Sequence, residues 1–247
     1  MVLVGVVGAL VGSFLNVVIH RLPRGESLVA PRSRCLDCGA QVRARDNVPV
    51  LSWLLLRGRC RDCGAGISPR YPLVELLTAA TFVAVALTRG VDAELAVTLP
   101  FAAMLIAVAG IDLDHRIVPN KVVAPLALWA IAASAVIRPE ELPELLIAGA
   151  GAFAFLLAAA LAYPSGMGMG DVKLAGVMGL YLGTAVVPAL LAAFLAGSLV
   201  GVALIVRHGA GARKRGVPFA PFLALGGLLG LLAGPELVQL YTDHLLS

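Results

Sequence analysis

Two aspartates stand in surroundings where a carboxylate is costly. Asp112, in AVAGIDLDHRIVPN, closes one apolar run, and Asp171, in GMGMGDVKL, lies between two others. A charged side chain at membrane depth costs about 2.5–3.5 kcal/mol on insertion scales, and such groups mark functional sites. Brought from separate helices to one face of a membrane, two carboxylates form a pair able to hydrolyse an amide. The ionised one takes a proton from water as it attacks the carbonyl; the protonated one donates to the carbonyl oxygen and then helps the amine leave. Repulsion between like charges drives the two pKa values apart and produces one acid and one base. Asp112 and Asp114 are about 200° apart around a helix, so only one can face a partner. Asp112 is nearer the apolar run, whereas Asp114 leads into the polar His115-Arg116 pair and reads as an interfacial carboxylate. Asp171 follows Gly166, Gly168 and Gly170 at a helix start, where unpaired N–H groups and the helix dipole favour a carboxylate. Those glycines permit a left-handed backbone and close approach of another chain, so Gly168 and Gly170 are expected to support the site. A lone Gly-Asp of this kind is an ordinary helix cap; a second carboxylate in reach makes Asp112 and Asp171 a candidate catalytic pair.

The four cysteines form two knuckles, Cys35-Leu-Asp-Cys38 and Cys60-Arg-Asp-Cys63, separated by 21 residues. Each pair offers two thiolates and two pairs complete a tetrahedron, which predicts a structural zinc site. Gly39 and Gly64 follow the second cysteine of each knuckle, where the chain must turn tightly. Arg34, Arg59 and Arg61 would offset the charge of four thiolates. Two disulfides or free thiols are the alternatives, and a reducing compartment argues against the former.

The elements that must position these groups are membrane helices. Of 247 residues, 60% are hydrophobic and 14% charged, against about 45–50% apolar in a soluble domain. Apolar segments fall at about 2–19, 72–88, 95–111, 122–137, 145–163, 174–186, 187–206 and 217–235, with Pro188 a candidate divider of the long 174–206 stretch. The fold predicted is an all-α, polytopic helical bundle of about seven or eight apolar helices, with a small four-cysteine loop domain. Its expected parts are a first membrane helix at 1–20, a zinc-binding domain at 21–71, and a membrane domain at 72–247. The first apolar run lacks a basic start and a small-residue cleavage site, so it does not read as a cleaved secretory signal. If 20–71 is cytoplasmic, the loops on that side carry 17 of the 19 Lys and Arg residues and the opposite loops carry two, Arg89 and Arg138. The positive-inside rule therefore puts both aspartates at the cytoplasmic ends of their helices.

GSFLNVVIHRLP at 12–23, both knuckles, NVPVLSWLLLRGRCRDCGAGISPRYPLVELLTA at 47–79, IDLDHRIVPN at 111–120, GMGMGDVKL at 166–174 and VPFAPFLAL at 217–225 together resemble one family. It is the type IV prepilin peptidases, bifunctional leader peptidase/N-methyltransferases of bacterial inner membranes. The resemblance implies that the first Asp of IDLDH and the Asp of GxGD, here Asp112 and Asp171, are the catalytic pair. It implies a prepilin or pseudopilin substrate, cut on the cytoplasmic side after a glycine, where a short basic leader meets an apolar helix. It further implies S-adenosylmethionine as donor of a methyl group to the new N-terminus, with the 21–71 loop a methyltransferase-associated part. Asn120 departs from the Pro-Asp common in the family; it retains hydrogen bonding without charge. Glu75, early in an apolar segment, is a further candidate, with pairing to Arg70 the plainer reading.

A proton-coupled transporter using Asp112 and Asp171 is the rival, since intramembrane carboxylates and glycine-broken helices occur there too. It predicts internal repeats, which the flanks of the two aspartates do not share, and leaves the cysteines unexplained. A non-enzymatic scaffold docking partners through its zinc loop would tolerate loss of both aspartates. The arginines around the cysteines suit anionic lipid headgroups, so lipid is an expected partner and nucleic acid is not.

Overall fold

Apolar runs rich in Ala, Leu and Val have no water to satisfy their N–H and C=O groups in a bilayer, so they close into helices. The computed structural model describes residues 1–163, 167–208 and 217–245. Gly166 and the basic cluster Arg213, Lys214 and Arg215, which entered the sequence reading, lie outside the described residues. Among the described residues there are nine α-helices and no strand. They are α1 (Val2–Arg21), α2 (Leu51–Leu55), α3 (Arg70–Arg89), α4 (Leu95–His115), α5 (Asn120–Ile137), α6 (Leu142–Ala162), α7 (Met169–Leu182), α8 (Val186–His208) and α9 (Ala220–Leu245). All but the short α2 are apolar, giving the polytopic bundle expected. Six described segments are long and apolar enough to cross a membrane, the last of them the 40-residue Met169–His208.

That last segment breaks earlier than expected. The divider is Gly183, at φ +56°, followed by a short 3-10 turn, Gly183–Ala185. Pro188 instead sits in the first turn of α8, where its missing N–H would have had no partner anyway. The Glu144 carboxylate accepts the Thr184 N–H at 3.1 Å, pinning the turn. With 14 residues α7 reaches about 21 Å, short of a hydrocarbon core of about 30 Å.

The chain divides into two units, Met1–Gly90 and Val91–Ser247. In the first, α1 lies on α3 through Gly8 and Gly12, where an added Cβ would meet the Cα of Ala79 or Glu75 at 2.7 Å. Small residues four apart let the backbones close in, as membrane helix pairs require. Asn16 donates to the Tyr71 carbonyl at 3.0 Å, fixing the register of the pair.

In the second unit α7 is the hub, touching α4, α5, α6, α8 and α9. Gly179 sits so close to α6 that a Cβ would meet the Ala148 oxygen at 2.6 Å. At the far end Tyr181 stacks on Phe101 with ring centroids 4.5 Å apart, and its hydroxyl donates to the Leu126 carbonyl at 2.7 Å. Arg138 donates to the Tyr181 carbonyl at 3.1 Å. This far-end clamp sets the height at which α7 presents its N-terminus.

Candidate active site

The site begins where α4 stops. Arg116 adopts a left-handed conformation, φ +55°, and its N–H bonds the Asp112 carbonyl at 2.9 Å, ending the helix just after Asp112. A non-glycine residue there costs about 1–2 kcal/mol, the kind of strain found at functional sites. Asp112 is 5% exposed, while Asp114, two residues on, faces outward. The Asp112 Oδ2 accepts the backbone N–H of Ala220, the first residue of α9, at 3.1 Å. Pro221, next in line, has no N–H to offer, so the opening of α9 presents one aimed donor to the carboxylate.

Asp171 lies in the first turn of α7, which starts two residues earlier, at Met169. Its half-buried side chain turns back toward Gly168 at the cap, where an added Cβ would stand 3.6 Å from Oδ2. The two carboxylates line one cavity of about 270 Å³, together with Arg116, Ile117, Val118, Gly168 and Gly170.

Neither glycine uses the left-handed freedom anticipated for it. Gly168 is extended at φ −81°, and Gly170 is helical. What Gly170 provides is proximity: an added Cβ would stand 2.7 Å from the Val118 Cβ. The two walls of the cavity therefore touch at a position where only hydrogen fits. Gly170→Ala is expected to lower the turnover of whatever reaction the two carboxylates run about 10- to 100-fold, as a displacement of about 1 Å does in a positioned site. Comparing turnover at equal amounts of membrane-inserted protein checks this; an unchanged rate would show that the approach does not matter.

In the first unit the four cysteine sulfurs lie within 4.8 Å of one another. The Cys35 and Cys63 sulfurs are 3.8 Å apart, and a tetrahedron of zinc–sulfur bonds of about 2.3 Å has edges of about 3.8 Å. The knuckles repeat one geometry. Cys35 N–H bonds Ala40 O and Gly39 N–H bonds Cys35 O; Cys60 N–H bonds Ala65 O and Gly64 N–H bonds Cys60 O. Gly39 and Gly64 take φ +72° and +76°. Backbone N–H groups of Cys38 and Asp37 bring the Cys35 thiol down to about 7. Although the Ala65 N–H favours its thiolate, Cys63 is pushed up to about 12 by the Cys38 thiol and by burial. Such crowding of negative charge is what a divalent cation relieves. Arg61, next to Cys60, has a carboxylate partner of its own. It holds the Asp46 carboxylate through two bonds of 2.8 and 2.6 Å, keeping that carboxyl below its usual range. Arg43 pairs with Asp62 at 3.2 Å. The indole of Trp53 fills the space over Gly58, φ +65°, and donates to the Ile67 carbonyl at 2.9 Å.

Glu75 is buried, and its Oε2 accepts the Val50 N–H at 2.7 Å. Val50 has φ +61° and ψ −52°, and Leu51 N–H reaches back to Pro49 O at 2.6 Å. That is a γ-turn of the rare, strained hand, and Val is a poor residue for it. The buried carboxylate gives the strained N–H a partner and ties the NVPVL turn to α3.

The sequence reading missed the Ala220 donor. The signal was present in the opening of α9, where Pro218 and Pro221 bracket a helix start and leave few N–H groups free to point outward.

Residues 6–89 match the bacterial peptidase A24 N-terminal domain and residues 99–206 the type IV leader peptidase family. A prepilin leader peptidase/N-methyltransferase of Aeromonas hydrophila is 35% identical over 96% of this chain and 92% of its own length. A protein of the same description from Dichelobacter nodosus is 36% identical over 96% of this chain and 93% of its own. One from Bacillus subtilis (strain 168) is 35% identical, covering 95% and 94%. No solved structure matches.

Proposed function

The chain belongs to the type IV leader peptidase family, and from that premise we propose that it removes the leader from type IV prepilins or pseudopilins, at the cytoplasmic face of the bacterial inner membrane. The observation that carries this reading is the shared cavity: Asp112 at the end of α4 and Asp171 at the start of α7 open into the same space. The scissile carbonyl enters between them. One carboxylate, ionised, accepts a proton from the attacking water; the other, protonated, donates to the carbonyl oxygen. The tetrahedral species then collapses as the amine takes up a proton and leaves, and the pair returns to one proton shared. Ala220 holds Asp112 in place from the start of α9, and Gly170 lets the Val118 segment close the opposite wall. Cleavage after the glycine where the basic leader ends fits a site at the rim of the membrane.

The zinc reading is supported by the spacing of the four sulfurs. Cys35, Cys38, Cys60 and Cys63 would hold the ion, which supplies structure rather than a reactive water because all four positions are thiolates. The loop at 21–71 is read as the part associated with methylation of the new N-terminal amine, and 72–247 as the part that carries cleavage. The described residues contain no strand and hence no glycine-rich strand–turn–helix cradle for S-adenosylmethionine. No residue of this chain is assigned to that donor.

The test is mass spectrometry of a purified prepilin incubated with the chain in lipid nanodiscs and S-adenosylmethionine. The expected product has lost its leader after the glycine and carries a methyl group on the new N-terminus. An intact prepilin would overturn the assignment; a trimmed, unmethylated one would overturn only the second activity.

A further inference from the structure

Helix α2, in the loop that joins α1 to α3, is inside out for a helix in water. Its serine, Ser52, is 6% exposed, and the hydroxyl accepts the Val48 N–H at 2.9 Å and donates to the Arg45 carbonyl at 3.0 Å. Leu51, Leu54 and Leu55 stand at i, i+3 and i+4, hence on one face, and all three are exposed, Leu55 by 83%. Val48, just before the Val50 turn, is exposed with them. Single exposed leucines are ordinary, whereas a contiguous apolar face marks a contact surface. Two tethers set the depth of that face. The Val50 N–H, at the opening of α2, is held by the Glu75 carboxylate at 2.7 Å. Glu75 lies about 7.5 Å beyond Arg70, inside a helix long and apolar enough to cross a membrane. Around it Leu73, Leu76 and Leu77 of α3 are exposed, so the medium at this level is hydrocarbon rather than water. The second tether is the Trp53 indole, which donates to the carbonyl of Ile67, just before α3 begins. Tryptophan is enriched at that border of a bilayer. Exposed Arg57 and Arg59 follow α2 directly.

We infer that the leucine face of α2 is sunk among the acyl chains of the bilayer that α3 crosses, a wedge that holds the four-cysteine loop against the membrane surface. The partner is lipid because the face begins at the level of Glu75, where α3 itself is solvated by lipid. Charge agrees with depth: Arg57 and Arg59, at the exit from α2, meet the phosphates of anionic headgroups while the leucines stay below them. With five residues α2 is too short to persist as a helix in water, and immersion removes the water that would compete for its backbone. The strained turn at Val50 then has a task, since it lets a chain coming from the polar loop start a helix at hydrocarbon depth.

A photo-crosslinking amino acid at Leu54 and, separately, at Leu55 tests the wedge, with the full chain in nanodiscs of phosphatidylethanolamine and phosphatidylglycerol. Both positions are exposed, so the label leaves packing undisturbed. Each is expected to join lipid acyl chains, at least about tenfold more often than a label at Gln41, which is exposed beside the first knuckle. Lipid adducts no more frequent than at Gln41, or adducts to another protein or to a distant part of this chain, would overturn the inference. A second variant uses the sign of the effect. Replacing Leu51, Leu54 and Leu55 together by serine costs nothing on a face that meets water, but lifts α2 out of a bilayer. Trypsin cutting after Arg57 in the membrane-inserted chain is therefore expected to rise about tenfold or more, because cleavage follows the population of the opened loop. An unchanged rate of cutting would contradict the wedge. Both readouts hold whatever reaction the two aspartates run.

Discussion

Asp112→Asn and Asp171→Asn are each expected to reduce kcat for leader cleavage by at least about 10³-fold, while the protein still inserts in the membrane and still captures prepilin. Positioned acid or base groups contribute about 10²–10⁴ each, and in a shared-proton pair the loss of either member removes both roles, so the double variant should be scarcely slower than either single one. Asparagine keeps the size and the acceptor oxygen, so the Ala220 N–H at 3.1 Å still has a partner in Asp112→Asn, and the opening of α9 is not released. Gel separation of precursor and product over time, with the uncut precursor co-purifying with the variant, checks both halves. A transporter built on the same two side chains would instead lose ion coupling and leave cleavage of the prepilin by other means untouched. Asp114→Asn is the internal comparison: facing outward two residues away, it should change the rate by less than about threefold.

The second large effect is expected from the cysteines. Replacing Cys35 or Cys60 by alanine removes one ligand of four, and structural zinc sites contribute about 10–16 kcal/mol of binding free energy in small peptides. A loop of this size has too little apolar core to fold without such a staple. The knuckles should open, the ion should leave, and the loop should become a protease target. The Arg43–Asp62 pair is too exposed to hold it, since surface pairs of this kind contribute about 0–1 kcal/mol, and one further pair, Arg61–Asp46, does not replace an ion with four ligands. Metal content by mass spectrometry and limited proteolysis report the outcome together. Protein that carries no zinc before mutation, or a loop that stays protected after it, would contradict the structural role.

Much of this architecture could be read from residue order because membrane helices leave so little choice. The eight apolar runs, the preference for Asp112 over Asp114 as the inward carboxylate, and the turns after each knuckle all follow from local rules: hydrocarbon forces helices, 200° separates i from i+2, and positive φ favours glycine. What escaped were effects set by partners distant in sequence. The break in 169–208 falls at Gly183 because Glu144, on α6, binds the turn, whereas Pro188 is harmless in a first turn. Gly170 is needed because Val118 presses on it, a contact that no pattern around Gly-Asp could reveal. The Ala220 N–H reaches Asp112 across 108 residues. Glu75 looked like an interfacial carboxylate, yet it carries the strained N–H of Val50, 25 residues earlier.

The shared proton itself is tested most directly by the pH dependence of kcat/KM for leader cleavage, with zinc content followed in the same samples. A pair that works only with one carboxylate ionised and the other protonated gives a bell: activity falls in acid as both take up protons, and falls again at higher pH as both lose them. Loss of activity on both sides, with zinc retained across the range, is the predicted result. A rate that climbs to a plateau and holds there as pH rises would mean a single base at work, and would contradict the aspartate pair.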